Sequence, residues 1–217
     1  MSCSICHIRK EKRFCPAVHD RICPQCCGTE REVTFDCPAE CVYLQQARRH
    51  ERPRPLQDLD PAALFPDVEV SEEFLHQREP LIIGLSFAVA KAARGDRSLR
   101  DSDIIASLAS VAKSYETLVG SGLLYEPPTA SVPQQALSAE LQKSIAEYRR
   151  AEQQHIGYAT LKDGDALRAI VFLLRLAHAR TSGRPRSRAF IDFVLEQFPP
   201  KESLITASQE SSRIIVP

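Results

Sequence analysis

The chain has 217 residues, of which 43% are hydrophobic and 26% are charged, a balance typical of a folded globular protein. The 28 Lys and Arg residues are offset by 28 Asp and Glu residues, which excludes a global electrostatic attraction to nucleic acid or to an anionic membrane. The length allows one ordinary domain and a small module.

Neither a secretion signal nor a membrane span is predicted. The opening residues MSCSICHIRK have no apolar core, and the longest apolar run, residues 169–174, is too short to cross a bilayer. We therefore expect a soluble, cytoplasmic protein. Because the cytosol keeps thiols reduced, clustered cysteines in such a protein indicate a metal site more often than disulfides.

The cysteines are confined to the start of the chain. All eight lie within the first 41 residues, and the two C-x-x-C pairs, at 3–6 and 23–26, can each bend around one metal ion. Zinc takes four ligands in a tetrahedron, so eight thiols are enough for two zinc ions. An iron–sulfur site or a redox relay is the alternative use. The predicted ligands are Cys3, Cys6, Cys15, Cys23, Cys26, Cys27, Cys37 and Cys41.

Two partitions of these thiols between the ions are compatible with the spacing. One ion is held by Cys3, Cys6, Cys23 and either Cys26 or Cys27. The other ion is held by Cys15, Cys37, Cys41 and the remaining member of the adjacent pair. His19 is a possible alternative ligand that could replace a thiol. Because the thiols suffice to close both tetrahedra, the sites are predicted to be structural and not catalytic.

The residues before and around the last two cysteines predict a strand and then a helix. In residues 31–36, REVTFD, Val33 and Phe35 alternate with polar residues, which is a strand pattern. Residues 37–49, CPAECVYLQQARR, predict a helix with Pro38 at its first position and both cysteines on one face. A cysteine knuckle, a strand and a helix with the last ligands form a treble-clef zinc finger.

A segment of this size needs the metal in order to fold. Roughly 45 residues cannot bury enough apolar surface to form an independent core. A structural zinc site contributes about 10–16 kcal/mol of folding free energy in comparable peptides. We therefore predict a Cys-rich segment, residues 1–47, made of a short hairpin plus a helix and held together by two zinc ions.

The cysteine motifs also carry a family resemblance. CSIC, RFC, CPQCC and the closing CPAEC together resemble the cross-braced, two-zinc fingers of the HIT and MYND class. This resemblance covers about a fifth of the chain and implies a protein-interaction module, often part of a larger assembly. RICPQCCG followed by a helical region is similar to bacterial proteins of no established function.

The rest of the chain predicts a mostly α protein. A proline-rich linker is expected at residues 48–70, because proline stops helices and blocks sheet pairing. Residues 71–200 carry helical patterns that predict a bundle of about five helices, and residues 201–217 form a tail without such a pattern. The strongest patterns are at 101–122 and at 165–180, the second of which is apolar nearly all round and therefore predicts a buried central helix. Further helices are predicted at 81–95, around 137–148 and at 185–198.

No catalytic motif is present. The sequence has no Gly-rich phosphate loop, no H-E-x-x-H and no G-x-S-x-G. Glu72 and Glu73 fit a helix start, and His178 fits the boundary of a core better than a general base. We therefore predict a protein that is not an enzyme.

One stretch departs from the balance of charge. Residues 166–191 contain six arginines and no acidic residue. Guanidinium forks suit phosphate or carboxylate groups, so the stretch is a possible phosphate or acidic-partner site. The alternative is a solvated loop whose arginines pair with acids elsewhere, such as Glu147 or Asp192. The arginines that we assign to this site are Arg175, Arg180, Arg184, Arg186 and Arg188.

The sequence thus favours a non-enzymatic zinc-binding adaptor whose Cys-rich segment and helical domain dock protein partners. The alternative is a nucleic-acid-binding regulatory protein that uses the Arg-rich 175–188 segment on phosphates. No membrane association is expected, and the sequence does not predict the oligomeric state.

Overall fold

A computed structural model describes residues 1–123, 125, 127–128 and 131–199. Two parts can be distinguished, a small Cys-rich segment and a larger helical bundle, as the sequence predicts. The tail predicted at 201–217 lies outside the described residues.

The Cys-rich segment contains one hairpin and two short helices. Strands β1 (Arg13–Cys15) and β2 (Asp20–Ile22) pair antiparallel, with Cys15 opposite Asp20. Helix α1 (Pro24–Glu30) follows directly, and helix α2 (Val42–His50) closes the segment. A hairpin and a helix are therefore confirmed. The hairpin lies before the predicted strand, and the helix begins later than its sequence pattern indicates.

The strand predicted at residues 31–36 is wrong. Only an isolated bridge joins Arg31 to Phe35, and the amides of Val33, Thr34 and Phe35 all donate to the carbonyl of Glu30. The stretch is therefore a tight turn. The alternating pattern does not produce a strand here, because these three amides are used within the turn.

The predicted start of the second helix is also wrong. Helix α2 begins at Val42, and residues 38–41 form a turn in which the Cys41 amide donates to the Pro38 carbonyl at 3.0 Å. Cys41 is extended (ψ 114°), so it caps the helix instead of lying within it. Within the Cys-rich segment, the helix that begins at a proline is α1, at Pro24.

The predicted linker is packed against the bundle. It forms two short 3₁₀ turns, at Leu56–Asp58 and Pro61–Leu64, next to the long helix that ends at Arg180. The Arg54 amide donates to the Ala179 carbonyl at 2.9 Å. Backbone groups of this segment therefore find hydrogen-bond partners on the bundle, whereas those of a solvated linker bond only to water.

Six helices form the bundle, where the sequence predicts about five. The additional one is a short helix at its start, capped by the Ser71 hydroxyl, which accepts from the Phe74 amide at 3.2 Å. Gly122 and Gly157 end two of the long helices in left-handed conformations (φ 73° and 85°), which glycine adopts without strain. The helices are α3 (Glu72–Gln77), α4 (Glu79–Gly95), α5 (Asp101–Ser121), α6 (Val132–Ile156), α7 (Asp163–Arg180) and α8 (Ala189–Gln197).

Helix α7 is the buried centre of the bundle, which confirms the prediction from its apolar sequence. It packs most extensively against α5 and also contacts α4 and α8. Eight of its side chains are buried, among them Ile170, Val171 and Leu174, which are inaccessible to solvent. The bundle core is separate from the buried cluster of the Cys-rich segment. The two parts can therefore be perturbed one at a time.

Candidate metal centre

Four thiols come together in the Cys-rich segment. The sulfur atoms of Cys3, Cys6, Cys23 and Cys26 all lie within 4.8 Å of one another. Three of these side chains are buried and Cys6 is half-buried. Four sulfurs at this separation can bind one metal ion, and the cluster includes Cys26 and not its neighbour Cys27, which decides between the two predicted partitions for the first ion.

Backbone geometry positions the first pair of the cluster. The chain turns back after Cys3, because the Cys3 amide donates to the Arg9 carbonyl and the His7 amide donates to the Cys3 carbonyl, both at 2.8 Å. His7 adopts a left-handed conformation (φ 55°) in this turn. The turn brings Cys6 back beside Cys3.

The second pair lies at the start of α1. Cys23 caps this helix, and its sulfur accepts from the Cys26 amide at 3.4 Å. The Cys23 amide in turn donates to the Cys3 sulfur at 3.1 Å. Backbone amides that point at sulfur stabilise thiolates, which are the form that binds metal.

The environment acts differently on the individual thiols. The backbone amides of Arg9 and Ile8 lower the pKa of Cys6 to about 6. Burial opposes ionisation of Cys3, but backbone amides, including those of Cys6 and Cys23, leave its pKa below the ordinary value. Burial raises the pKa of Cys26 to about 12. The shifted pKa values thus favour the thiolate at Cys6 and Cys3 and the neutral thiol at Cys26.

The other four cysteines line a small cavity. Cys15, Cys27, Cys37 and Cys41 border one cavity, together with the rings of Phe35 and Tyr43 and the side chain of Leu44. The cavity admits the centre of a water-sized sphere over about 10 Å³, which is room for one small ion. Burial raises the pKa of Cys37, and the nearby Cys15 and Cys41 thiols act in the same direction. None of the eight cysteines forms a disulfide.

Arg13 closes one side of this cavity. Its guanidinium stacks on the Tyr43 ring at 4.5 Å and donates to the Cys27 sulfur at 3.6 Å. The side chain is held by the aromatic ring in the orientation that this hydrogen bond requires.

The histidine proposed as an alternative ligand lies away from the thiol cluster. His19 is exposed in the turn of the hairpin, with a left-handed backbone (φ 52°), and is not among the four clustered ligands. His7, next to Cys6, is likewise exposed. Thiols alone make up the cluster.

A buried carboxylate joins the Cys-rich segment to the bundle. Glu32 is only 1% exposed, and its carboxylate accepts from Arg48 at 2.9 Å and from the Ser182 hydroxyl at 3.1 Å. Arg48 also donates to Asp192 on α8, and the Arg186 amide donates to the Glu32 carbonyl at 2.8 Å. Sequence reasoning missed Glu32, since acidic residues are mostly exposed and nothing in its neighbourhood marks this one.

Most of the arginines predicted to bind phosphate have partners inside the protein. Arg175 donates to the carbonyls of residues 64, 65 and 68, and Arg188 donates to those of residues 97 and 99. Arg184 donates to the carbonyls of residues 28 and 31. Arg180 stacks on Phe193, and the Arg186 side chain is exposed. The structure does not bring these five side chains together on one surface. The two acids proposed as their partners are paired with other residues, Glu147 with Lys143 and Asp192 with Arg48.

Comparisons of the chain with protein-family models, with curated proteins and with solved structures found no match. Within the described part of the chain, no helix combines the length and the apolar character that a membrane span requires.

Proposed function

We propose that this protein is a non-enzymatic zinc-binding adaptor, whose Cys-rich segment folds around zinc and presents a surface to a protein partner. The cluster of Cys3, Cys6, Cys23 and Cys26 is the observation that carries the proposal. Four sulfur ligands fill the tetrahedron of zinc and leave no open position for a substrate, which is the arrangement of a structural site. Soft thiolates select zinc over hard cations such as Mg²⁺. Reduced thiols fit a cytoplasmic protein.

A second zinc ion is part of this proposal. The four remaining cysteines border one ion-sized cavity, although among the described residues only the first four sulfurs lie within 4.8 Å of one another. The two sets alternate along the chain: Cys3 and Cys6, then Cys15, then Cys23 and Cys26, then the last three. Interleaved ligands of this kind define a cross-braced finger, which supports the resemblance to the HIT and MYND class.

Metal analysis tests the zinc proposal. We expect two zinc ions per chain in protein purified under reducing conditions, and one in the variant Cys27→Ser, which keeps the first cluster complete. His19→Ser is the matched control and should retain both ions. One ion in the wild type and in Cys27→Ser alike would restrict the proposal to a single site. Protein without bound metal, or with iron in place of zinc, would refute it.

The Cys-rich segment exposes apolar side chains that a partner could cover. Ile8 is 85% exposed beside the first pair of ligands, and Phe14 is 55% exposed on β1. Ile8→Asp and Phe14→Asp should abolish partner capture from the native host while zinc content stays unchanged. Val119→Asp, at a side chain on α5 that is 53% exposed, is the control. Capture that survives both segment variants and zinc chelation would contradict the proposed surface.

The nucleic-acid alternative has less support. Phosphate binding along a duplex needs several free cationic side chains on one surface. Arg175, Arg184 and Arg188 donate to backbone carbonyls of the protein, so binding phosphate would leave those carbonyls without partners. The alternative predicts duplex binding that weakens steeply with salt and is lost in Arg186→Gln.

A further inference from the structure

A second cavity lies where the Cys-rich segment, the linker and the bundle meet. Its volume is about 330 Å³, in the range of small-molecule sites. The walls come from the end of α2, from residues 51–54, from the end of α7 and from the start of α8. Five arginines line it, against a single acidic residue, Glu51. These arginines are Arg48, Arg52, Arg54, Arg180 and Arg184.

The arginines of this cavity differ in how far their charge is compensated. Arg48 is paired with two carboxylates, and Arg184 donates to backbone carbonyls, which carry no net charge. Among the described residues, the guanidinium groups of Arg52, Arg54 and Arg180 have neither a hydrogen-bond acceptor nor an ion-pair partner. At least three positive charges therefore line the cavity without an acid paired to them, Glu51 being the one carboxylate in the lining, and an anion would relieve their mutual repulsion.

The loop between α7 and α8 is shaped to hold one of these guanidiniums. Gly183 has a left-handed conformation (φ 72°), and a Cβ atom there would lie 2.5 Å from Nη1 of Arg54. The positive φ favours glycine at this position, and the Arg54 side chain lies across the loop where a Cβ atom would stand. The charge of Arg54 also lowers the pKa of His178, after the larger effect of burial, which indicates that this guanidinium is directed toward the end of α7.

Part of the remaining wall is apolar. Phe193, Ala189, Ala179 and Pro53 contribute to it, and Arg180 stacks on the Phe193 ring at 4.3 Å. The amides at the start of α8 are already used, because those of Phe190 and Ile191 donate to the buried Asp101 carboxylate at 3.2 and 3.1 Å. Any bound anion would therefore be held by side chains and not by the helix end.

We propose that this cavity binds a small ligand that carries phosphate groups. Three uncompensated guanidiniums suit a group with two or more negative charges, since each fork can donate two parallel hydrogen bonds to phosphate oxygens. The cavity is a local, half-open recess of about 330 Å³, which suits a small molecule better than a duplex, since a duplex needs an extended surface. The apolar wall beside the arginines would accommodate an organic group attached to the phosphates. This proposal does not depend on the metal sites.

Calorimetric titration of the full chain in phosphate-free buffer tests the proposal, with inorganic pyrophosphate as the probe. We expect saturable binding with a dissociation constant below about 1 mM. Arg54→Gln and Arg180→Gln should each weaken it by about tenfold or more, because each removes charge-assisted hydrogen bonds. Arg186→Gln is the matched control, because Arg186 lies in the same loop but does not line the cavity. It should bind pyrophosphate as the wild type does.

Three further titrations distinguish sources of the anion. A nucleoside diphosphate that binds more tightly than pyrophosphate would support use of the apolar wall, and orthophosphate should bind more weakly than either. Citrate that binds as tightly as pyrophosphate would overturn the assignment to phosphate. Equal weakening in Arg186→Gln, no saturable binding, or binding of duplex DNA alone would overturn the proposed cavity. Unchanged zinc content in all three variants would show that the Cys-rich segment is intact.

Discussion

Replacement of one clustered cysteine should unfold the Cys-rich segment and leave the bundle folded. Cys23 is 1% exposed, caps α1 and contributes one of four clustered sulfurs, so Cys23→Ser removes a ligand and weakens the helix start together. Among the described residues 1–47, Ile22 and Leu44 are the only buried apolar side chains other than cysteines. Burial of two such side chains contributes about 3–6 kcal/mol, against about 10–16 kcal/mol for a structural zinc site. Without the metal, little remains to offset the conformational entropy of the segment.

Two measurements on the same sample separate the segment from the bundle. Helices α1 and α2 have 7 and 9 residues, whereas α4, α5, α6 and α7 have 17, 21, 25 and 18. Far-ultraviolet circular dichroism should therefore lose only a small part of its helical signal, while limited proteolysis should cut freely within residues 1–47. His19→Ser is the control and should resist cleavage.

Two outcomes would contradict a Cys-rich segment that is held by metal and folds apart from the bundle. If Cys23→Ser keeps its full metal content and its resistance to protease, the thiol cluster does not hold the segment. If the helical signal collapses together with the segment, the two parts fold as one unit, and the polar junction around Glu32 has to carry far more of the stability than its few hydrogen bonds suggest.

Three further predictions concern the bundle. Leu141→Ala, at a fully buried site, should lower the free energy of unfolding by about 2–5 kcal/mol in urea denaturation, and a loss below 1 kcal/mol would contradict its place in the core. Asp101→Asn should cost about 1–3 kcal/mol by the same assay, because its carboxylate accepts from two amides of α8 and from Ser187; an unchanged midpoint would refute this role. Burial opposes ionisation of Glu152, but hydrogen bonds from Thr160 and the charge of Arg78 leave its pKa below the ordinary 4.5. Its contribution to stability should be complete above that value and be lost as the pH falls through the lower folded pKa, so Glu152→Gln should flatten the acid limb of stability against pH.

Regular patterns in the sequence were enough to predict the helices of the bundle. The apolar period of α5, the all-apolar face of α7 and the glycine that ends α4 predict these helices to within a few residues, because burial on one face and caps at the ends are local properties of the chain. The spacing of the cysteines likewise predicts a metal-binding segment and a sulfur cluster built from two C-x-x-C pairs.

Local patterns failed where hydrogen-bond partners are distant in sequence. The alternation at residues 31–36 has the period of a strand, but a strand needs amides that are free to pair with another strand, and the amides of residues 33–35 donate to the Glu30 carbonyl instead. Spacing also left open whether Cys26 or Cys27 joins the first cluster. The start of α1 decides it, because the turn of the helix directs one sulfur toward Cys3 and the next toward the second cavity.

Composition and spacing by themselves determined a mostly α chain with a thiol-rich front segment, since amphipathic periodicity and soft ligands act over a few residues. Only the tertiary structure decided the use of the arginines and the position of Glu32. A guanidinium finds its acceptors wherever the fold brings carbonyls and carboxylates within reach, and for Arg184 and Arg175 these lie more than a hundred residues away. Charge content is a property of the sequence, whereas charge compensation is a property of the fold.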